Sequence, residues 1–70
     1  MNAAQAKSIL KSAGYKANVK SCSCYGQNYI QICFKDETTV VKSDESKLQT
    51  LFAGLSVNVH CVNQATIELN

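Results

Sequence analysis

The chain predicts an α+β fold in two layers, ordered α-β-β-α-β-β, with both helices on one face of an antiparallel sheet. Three observations predict it. Asn18 to Phe34, NVKSCSCYGQNYIQICF, alternates apolar and polar residues on both sides of Gly26, as a β-hairpin does. Apolar residues at helical spacing precede it (Ala3, Ala6, Leu10, Ala13) and follow it (Leu48, Leu51, Phe52, Leu55), and the chain closes on two short alternating runs. A shift of 40 residues lays Lys7 on Lys47, Ala13-Gly14 on Ala53-Gly54 and Asn18-Val19 on Asn58-Val59, which reads either as an internal αββ pseudo-repeat or as two helix ends that share Ala-Gly for capping reasons; the element order is the same in both cases.

Taken in order, Ala3 to Ala13 is the first helix. Asn2 is its N-cap and Gly14 ends it in the left-handed region. In the hairpin, a turn at Gly26-Gln27 would pair Cys24 with Tyr29, Cys22 with Gln31 and Lys20 with Cys33. Period-two alternation then directs Val19, Ile30, Ile32 and Phe34 to the core. Lys20, Cys22, Cys24, Tyr29, Gln31, Cys33 and Lys35 face outward. A polar connection with a short β-prone run at Thr38 to Val41 leads to Ser43, which caps a second helix with Asp44 and Glu45 in its first turn. Gly54 stops that helix. Val57, Val59 and Cys61 alternate with Asn58, His60 and Val62, and Ile67 and Leu69 alternate with Thr66 and Glu68, with Asn63-Gln64 as the turn between them.

Seventy residues form one domain, residues 1–70, with a small core. The net charge of +2 is unevenly spread. Residues 1–35 hold five lysines and no acid, hence +5; residues 36–70 hold two lysines and five acids, hence −3. Such an asymmetry orients a partner. There is no arginine, the residue best suited to bidentate phosphate and guanine contacts, which lowers the expectation of nucleic-acid binding. The first residues lack the basic start and apolar run of a signal peptide, and no run is long enough to span a membrane. A cytoplasmic location with reduced thiols is expected.

Cys22, Cys24 and Cys33, with His60, could be drawn into a tetrahedral zinc site. Their spacing is C-x-C, without the C-x2-C turn that usually presents such ligands. The residues read instead as small, weakly polar side chains on a half-covered sheet face, with Cys61 in the core. No metal and no cofactor is expected. Catalysis is poorly supported: His60 is the only histidine, and Asp36-Glu37 and Asp44-Glu45 sit where turns and caps want acids. The segment LKSAGYKANVKS resembles the opening of the HicA-type mRNA interferases. That family carries its catalytic histidine on the following strands, where this chain has Tyr25-Gly26-Gln27-Asn28, so the activity is not carried over.

A wider stretch resembles small domains associated with the large polyvalent proteins of phages and plasmids. Ala17-Asn18-Val19-Lys20 and Ile30-Gln31-Ile32-Cys33-Phe34-Lys35-Asp36 match the alternating strands of that family, although Glu37 stands where its members often have glycine. The resemblance implies a mobile-element origin. The exposed hairpin face then suggests what the chain does. Cys22, Tyr25, Tyr29, Gln31 and Cys33, with Lys16, Lys20 and Lys35 around them, have the make-up of a protein interface, with tyrosine at the centre and charge at the rim. The expected role is a non-enzymatic protein-binding module, in its most concrete form an inhibitor of a host nucleic-acid-handling complex in the manner of an anti-CRISPR protein. The alternative is a small nucleic-acid-binding protein that stacks bases on the same face. A second copy of the chain is a further candidate partner.

Overall fold

A computed structural model describes residues 1–35, 40 and 42–69, the Cys61 side chain excepted. Its elements run α1 (Ala3–Ser12), β1 (Ala17–Cys24), β2 (Gln27–Phe34), a 3₁₀ turn (Lys42–Asp44), α2 (Glu45–Leu51), β3 (Ser56–Cys61) and β4 (Gln64–Glu68). The four strands make one antiparallel sheet in the order β1-β2-β4-β3, so the two hairpins lie back to back and β1 and β3 form the edges. Of the run foreseen at Thr38 to Val41, only Val40 is described, and Asp36-Glu37 lies outside the described residues.

Local chemistry accounts for α1. The Asn2 side chain accepts from the Gln5 N–H at 2.8 Å, and the Gln5 side chain accepts from the Asn2 N–H at 2.9 Å. This reciprocal capping box satisfies two of the donors that a helix start leaves bare. At the other end Gly14 takes a φ of 91°, and the Tyr15 and Gly14 N–H groups return to the carbonyls of Leu10 and Lys11. That is a Schellman closure, and the positive φ is why glycine stands there.

Among the described residues, every buried strand residue lies on one face of the sheet: Ala17, Ile30, Ile32, Phe34, Val57, Val59, Ala65 and Ile67. They form one cluster with Ala6 and Leu10 of α1, Leu48 of α2, Phe52 at its C-terminus, and Val40. α1 packs on β1, and α2 packs on β3. None of the described residues of opposite parity, from Asn18 on β1 to Glu68 on β4, is buried.

Three sequence expectations are corrected here. The first hairpin turns at Tyr25-Gly26, pairing Cys24 with Gln27 and Cys22 with Tyr29, two residues away from the expected register. Tyr25 and Gly26 both have positive φ, 50° and 78°, the mark of the type I′ turn whose twist matches its strands. The second hairpin turns at Val62-Asn63, and Gln64 already belongs to β4. Ser43 does not cap α2: it lies in the 3₁₀ turn, Asp44 occupies the N-cap position, and no side chain bonds there.

The first turn of α2 has another task. Glu45 Oε2 accepts from the Val59 N–H at 2.9 Å, and Gln49 Oε1 accepts from the Val57 N–H at 2.9 Å. Gln49 also donates through Nε2 to the Leu55 carbonyl. These are the donors that β3 turns away from β4, so α2 caps the sheet edge with two acceptors one helical turn apart. Beyond Val59 the edge is broken by a bulge that shifts the register between Val59 and Cys61.

A pH prediction follows. The bond from Lys42, then that from the Val59 N–H, hold the Glu45 carboxyl below the usual glutamate range. A carboxyl depressed in the folded state adds stability that is complete above its unfolded pKa, roughly 4.3, and fades as pH falls through the folded value. Lys42 is 71% exposed, so the ion pair itself contributes little. Denaturant midpoints between neutral pH and pH 3 should show a steeper acid loss for the wild type than for Glu45→Ala. Parallel curves would refute the edge cap.

Candidate docking face of the sheet

The outward face of the sheet is built in rows that follow the strand pairing. One row runs Cys22, Tyr29, Glu68 and Ser56; the next runs Lys20, Gln31, Thr66 and Asn58; a third begins Asn18, Cys33 and Gln64. Sequence reasoning placed Lys20, Cys22, Tyr29, Gln31 and Cys33 together, and all five lie on this face. Lys20 is exposed, while Cys22, Tyr29, Gln31 and Cys33 are each half-buried against their neighbours. The centre is therefore uncharged, flanked by one ammonium on β1 and one carboxylate on β4.

One contact ties the row of Cys22 to the row of Gln31, and another lies within the row of Cys22. The Cys22 thiol donates to Gln31 Oε1 at 3.7 Å, a long and weak bond. The charge that Cys22 can carry, and then its hydrogen bond, push the Tyr29 phenol above its usual range. At neutral pH the Tyr29 phenol therefore stays protonated. His60, across the sheet on β3, meets Thr66 Oγ1 at 2.7 Å.

The corrected register separates the thiols. Cys33 pairs with Asn18, four residues along β1 from Cys22, whereas the sequence reading made the two diagonal neighbours. At about 3.4 Å per residue this offset is roughly 14 Å along the strand. Cys22, Cys24 and Cys33 are all free thiols. Among the described residues no three His, Cys, Asp or Glu side chains come together as a cation would require.

Tyr25, Lys16 and Lys35 stand away from the centre of the face. Tyr25 is at the tip of the first hairpin and is fully exposed. Lys16 and Lys35 are at the other end, joined by a 2.9 Å bond from the Lys35 N–H to the Lys16 carbonyl. There they meet Lys7 and Lys11 of α1 around a cleft of about 200 Å³, floored by Leu10, Tyr15 and Ala17. The Tyr15 ring is held by Phe34, with ring centroids 5.6 Å apart. Four of the five lysines of residues 1–35 thus surround one hollow. The fifth, Lys20, is on the sheet.

The edge-capping pair Glu45 and Gln49 and the turn residue Asn63 were missed as organising residues. The available signal was slight: an acid and an amide four apart on the polar side of a helix, and one asparagine in a turn. No helix is long and apolar enough to cross a membrane among the described residues. Comparison with known protein families, curated proteins and solved structures finds no match.

Proposed function

We propose that the chain is a small, non-catalytic binding module that docks the outward face of its sheet, led by the tip of the first hairpin, onto another protein. Tyr25 carries this reading. Its position in a type I′ turn needs a φ of 50°, which asparagine or glycine adopts at little cost and tyrosine does not. A bulky aromatic kept in a strained position, with its ring wholly in water, gives the isolated fold nothing. It suits a partner's pocket, since tyrosine is a preferred anchor at interfaces.

Behind the tip, the half-buried Cys22, Tyr29, Gln31 and Cys33 supply an uncharged centre, with Lys20 beside them. Lys16 and Lys35, with Lys7 and Lys11, form a basic flank suited to an acidic partner surface. With the resemblance to phage and plasmid domains, this favours a mobile-element protein acting on a host nucleic-acid-handling complex, in the manner of an anti-CRISPR inhibitor. The architecture we infer has two layers, both helices on one side, and an αββ pseudo-repeat; the exchange-symmetric strand order β1-β2-β4-β3 supports it. The four-lysine cleft favours a second reading, binding to a nucleic-acid backbone.

The test is capture from bacterial lysate with the tagged chain, with and without nuclease, in several hundred millimolar salt. A discrete partner should survive both treatments and be lost with Tyr25→Asn and with Tyr29→Ala plus Lys20→Ala. Tyr25→Asn should meanwhile leave the fold as stable as before, or more stable by up to about 1 kcal/mol. Capture that vanishes with nuclease and falls steeply with salt would establish the nucleic-acid reading instead. Unchanged capture by all these variants would reject the docking face.

A further inference from the structure

The two edges of the sheet are finished differently. On β3 the outward-turned donors of Val57 and Val59 are taken by Gln49 and Glu45. On β1 the corresponding groups can be assigned from the pairing. The bond from the Lys35 N–H to the Lys16 carbonyl makes Lys16 and Lys35 a hydrogen-bonded pair. By the alternation of an antiparallel ladder, so are Asn18 with Cys33, Lys20 with Gln31 and Cys22 with Tyr29. The opposite side of β2 agrees: the Phe34 N–H and the Asn28 carbonyl bond away from β1, to Asn63 and Leu69. Ala17, Val19, Ser21 and Ser23 therefore direct their N–H and C=O groups to the open side of β1. Among the described residues nothing bonds them there.

A comparison of the two helices shows why no cap forms. Under the shift of 40 residues, Gln5 and Ile9 of α1 stand in the places of Glu45 and Gln49 of α2. Ile9 has no acceptor, and the Gln5 side chain is committed to the Asn2 N–H. The edge left bare is the longer one, eight residues with no proline and no bulge. Its only charge is Lys20. An edge of this kind is a template for another strand.

We propose that β1 pairs antiparallel with β1 of a second copy of the chain, about a two-fold axis at Ser21, joining two four-stranded sheets into one. The backbone parity and the lysine together select the register, and the burial pattern of β1 selects the occupant. Only residues that turn their backbone groups outward can exchange bonds, so the axis passes through a residue and not between two. β1 spans Ala17–Cys24, and the two registers of greatest overlap are centred on Lys20 and on Ser21. The first sets Lys20 against Lys20 of the second copy, a like-charge pair at the closest cross-strand spacing. The second sets Lys20 against Cys22, Asn18 against Cys24 and Val19 against Ser23.

Burial along β1 is complementary under the same axis. Ala17 is 7% exposed and Val19 packs on the core, whereas Ser21 and Ser23, on the same face, are exposed. The two-fold brings the covered half of each strand beside the bare half of the other and adds backbone bonds to a domain with a small core. The outward faces of the two sheets become continuous. The pairing does not depend on the docking role proposed above.

Sedimentation of the purified chain across a concentration series tests it, alongside Ser21→Pro. Proline at Ser21 removes an N–H that only the second copy would use, and edge strands accept proline at such positions. The wild type should pass from 7.6 kDa to twice that mass as concentration rises, while Ser21→Pro stays monomeric with a native circular-dichroism spectrum. Should that variant fail to fold, hydrogen exchange on the wild type decides: the Val19, Ser21 and Ser23 amides should exchange at least about tenfold more slowly in the concentrated sample than in the dilute one. A chain that is monomeric throughout, a dimer untouched by Ser21→Pro, or edge amides whose exchange ignores concentration would each overturn the pairing.

Discussion

Phe52→Ala is expected to leave the domain largely unfolded at room temperature. Phe52 is 2% exposed and is the bulkiest of the fully buried side chains. It follows α2, where its own N–H closes the helix on the Leu48 carbonyl at 3.0 Å, and its ring belongs to the cluster that both helices share with the sheet. Truncating a buried phenylalanine typically costs about 3–5 kcal/mol, from lost transfer energy and the cavity left behind. A chain of 70 residues has a total stability of only about 4–10 kcal/mol. One ring therefore accounts for a large fraction of the whole. Urea unfolding followed by far-ultraviolet circular dichroism would show this as a midpoint near zero denaturant, or as no transition. A fall in stability below about 1 kcal/mol would mean that the core is not organised around this residue. Phe52→Leu, which keeps most of the volume, should retain a cooperative transition.

The contrast between the two hairpins shows what could be read without coordinates. The core face of the first was legible because Ile30, Ile32 and Phe34 fall at every second position, and only one face can hold them all. Its register was not. A shift of two residues returns every side chain to the same face, so the apolar pattern is blind to it. The turn alone decides, and Tyr25-Gly26 lacks the asparagine that usually marks a type I′ turn. The misplaced turn in turn misplaced Cys33 relative to Cys22.

The start of α2 misled for a related reason. Ser43 followed by Asp44 and Glu45 has the composition of an N-terminal cap, yet Glu45 spends its carboxylate on the edge of β3. Such a contact, between residues 14 apart, leaves no trace in local pattern. The outward face of the sheet was legible as a list of residues and illegible as a surface. Period two named Lys20, Cys22, Tyr29, Gln31 and Cys33; only the fold shows that Lys16 and Lys35 leave that face to join Lys7 and Lys11.

Asn63→Ala is the second substitution expected to damage the fold, through the backbone and not through the core. Asn63 has a φ of 65° in the turn between β3 and β4. From there it serves three groups of two other segments: its Oδ1 accepts from the Val40 N–H at 2.9 Å, its N–H donates to the Val40 carbonyl at 2.8 Å, and its carbonyl accepts from the Phe34 N–H at 2.8 Å. Val40 is 1% exposed, so its amide loses its acceptor inside the protein when the side chain is removed. An orphaned amide costs about 1–3 kcal/mol, and alanine in the left-handed region adds about 1 kcal/mol. The expected loss is about 3 kcal/mol, which for a domain of this size lowers the melting temperature by roughly 10–20 °C. Two companions separate the causes. Asn63→Gly keeps the backbone conformation and loses only the side-chain bond, so it should cost less than alanine. Asn63→Asp keeps the acceptor and should come closest to the wild type at neutral pH. A melting order in which alanine matches aspartate would show that Val40 is held in the core by packing alone.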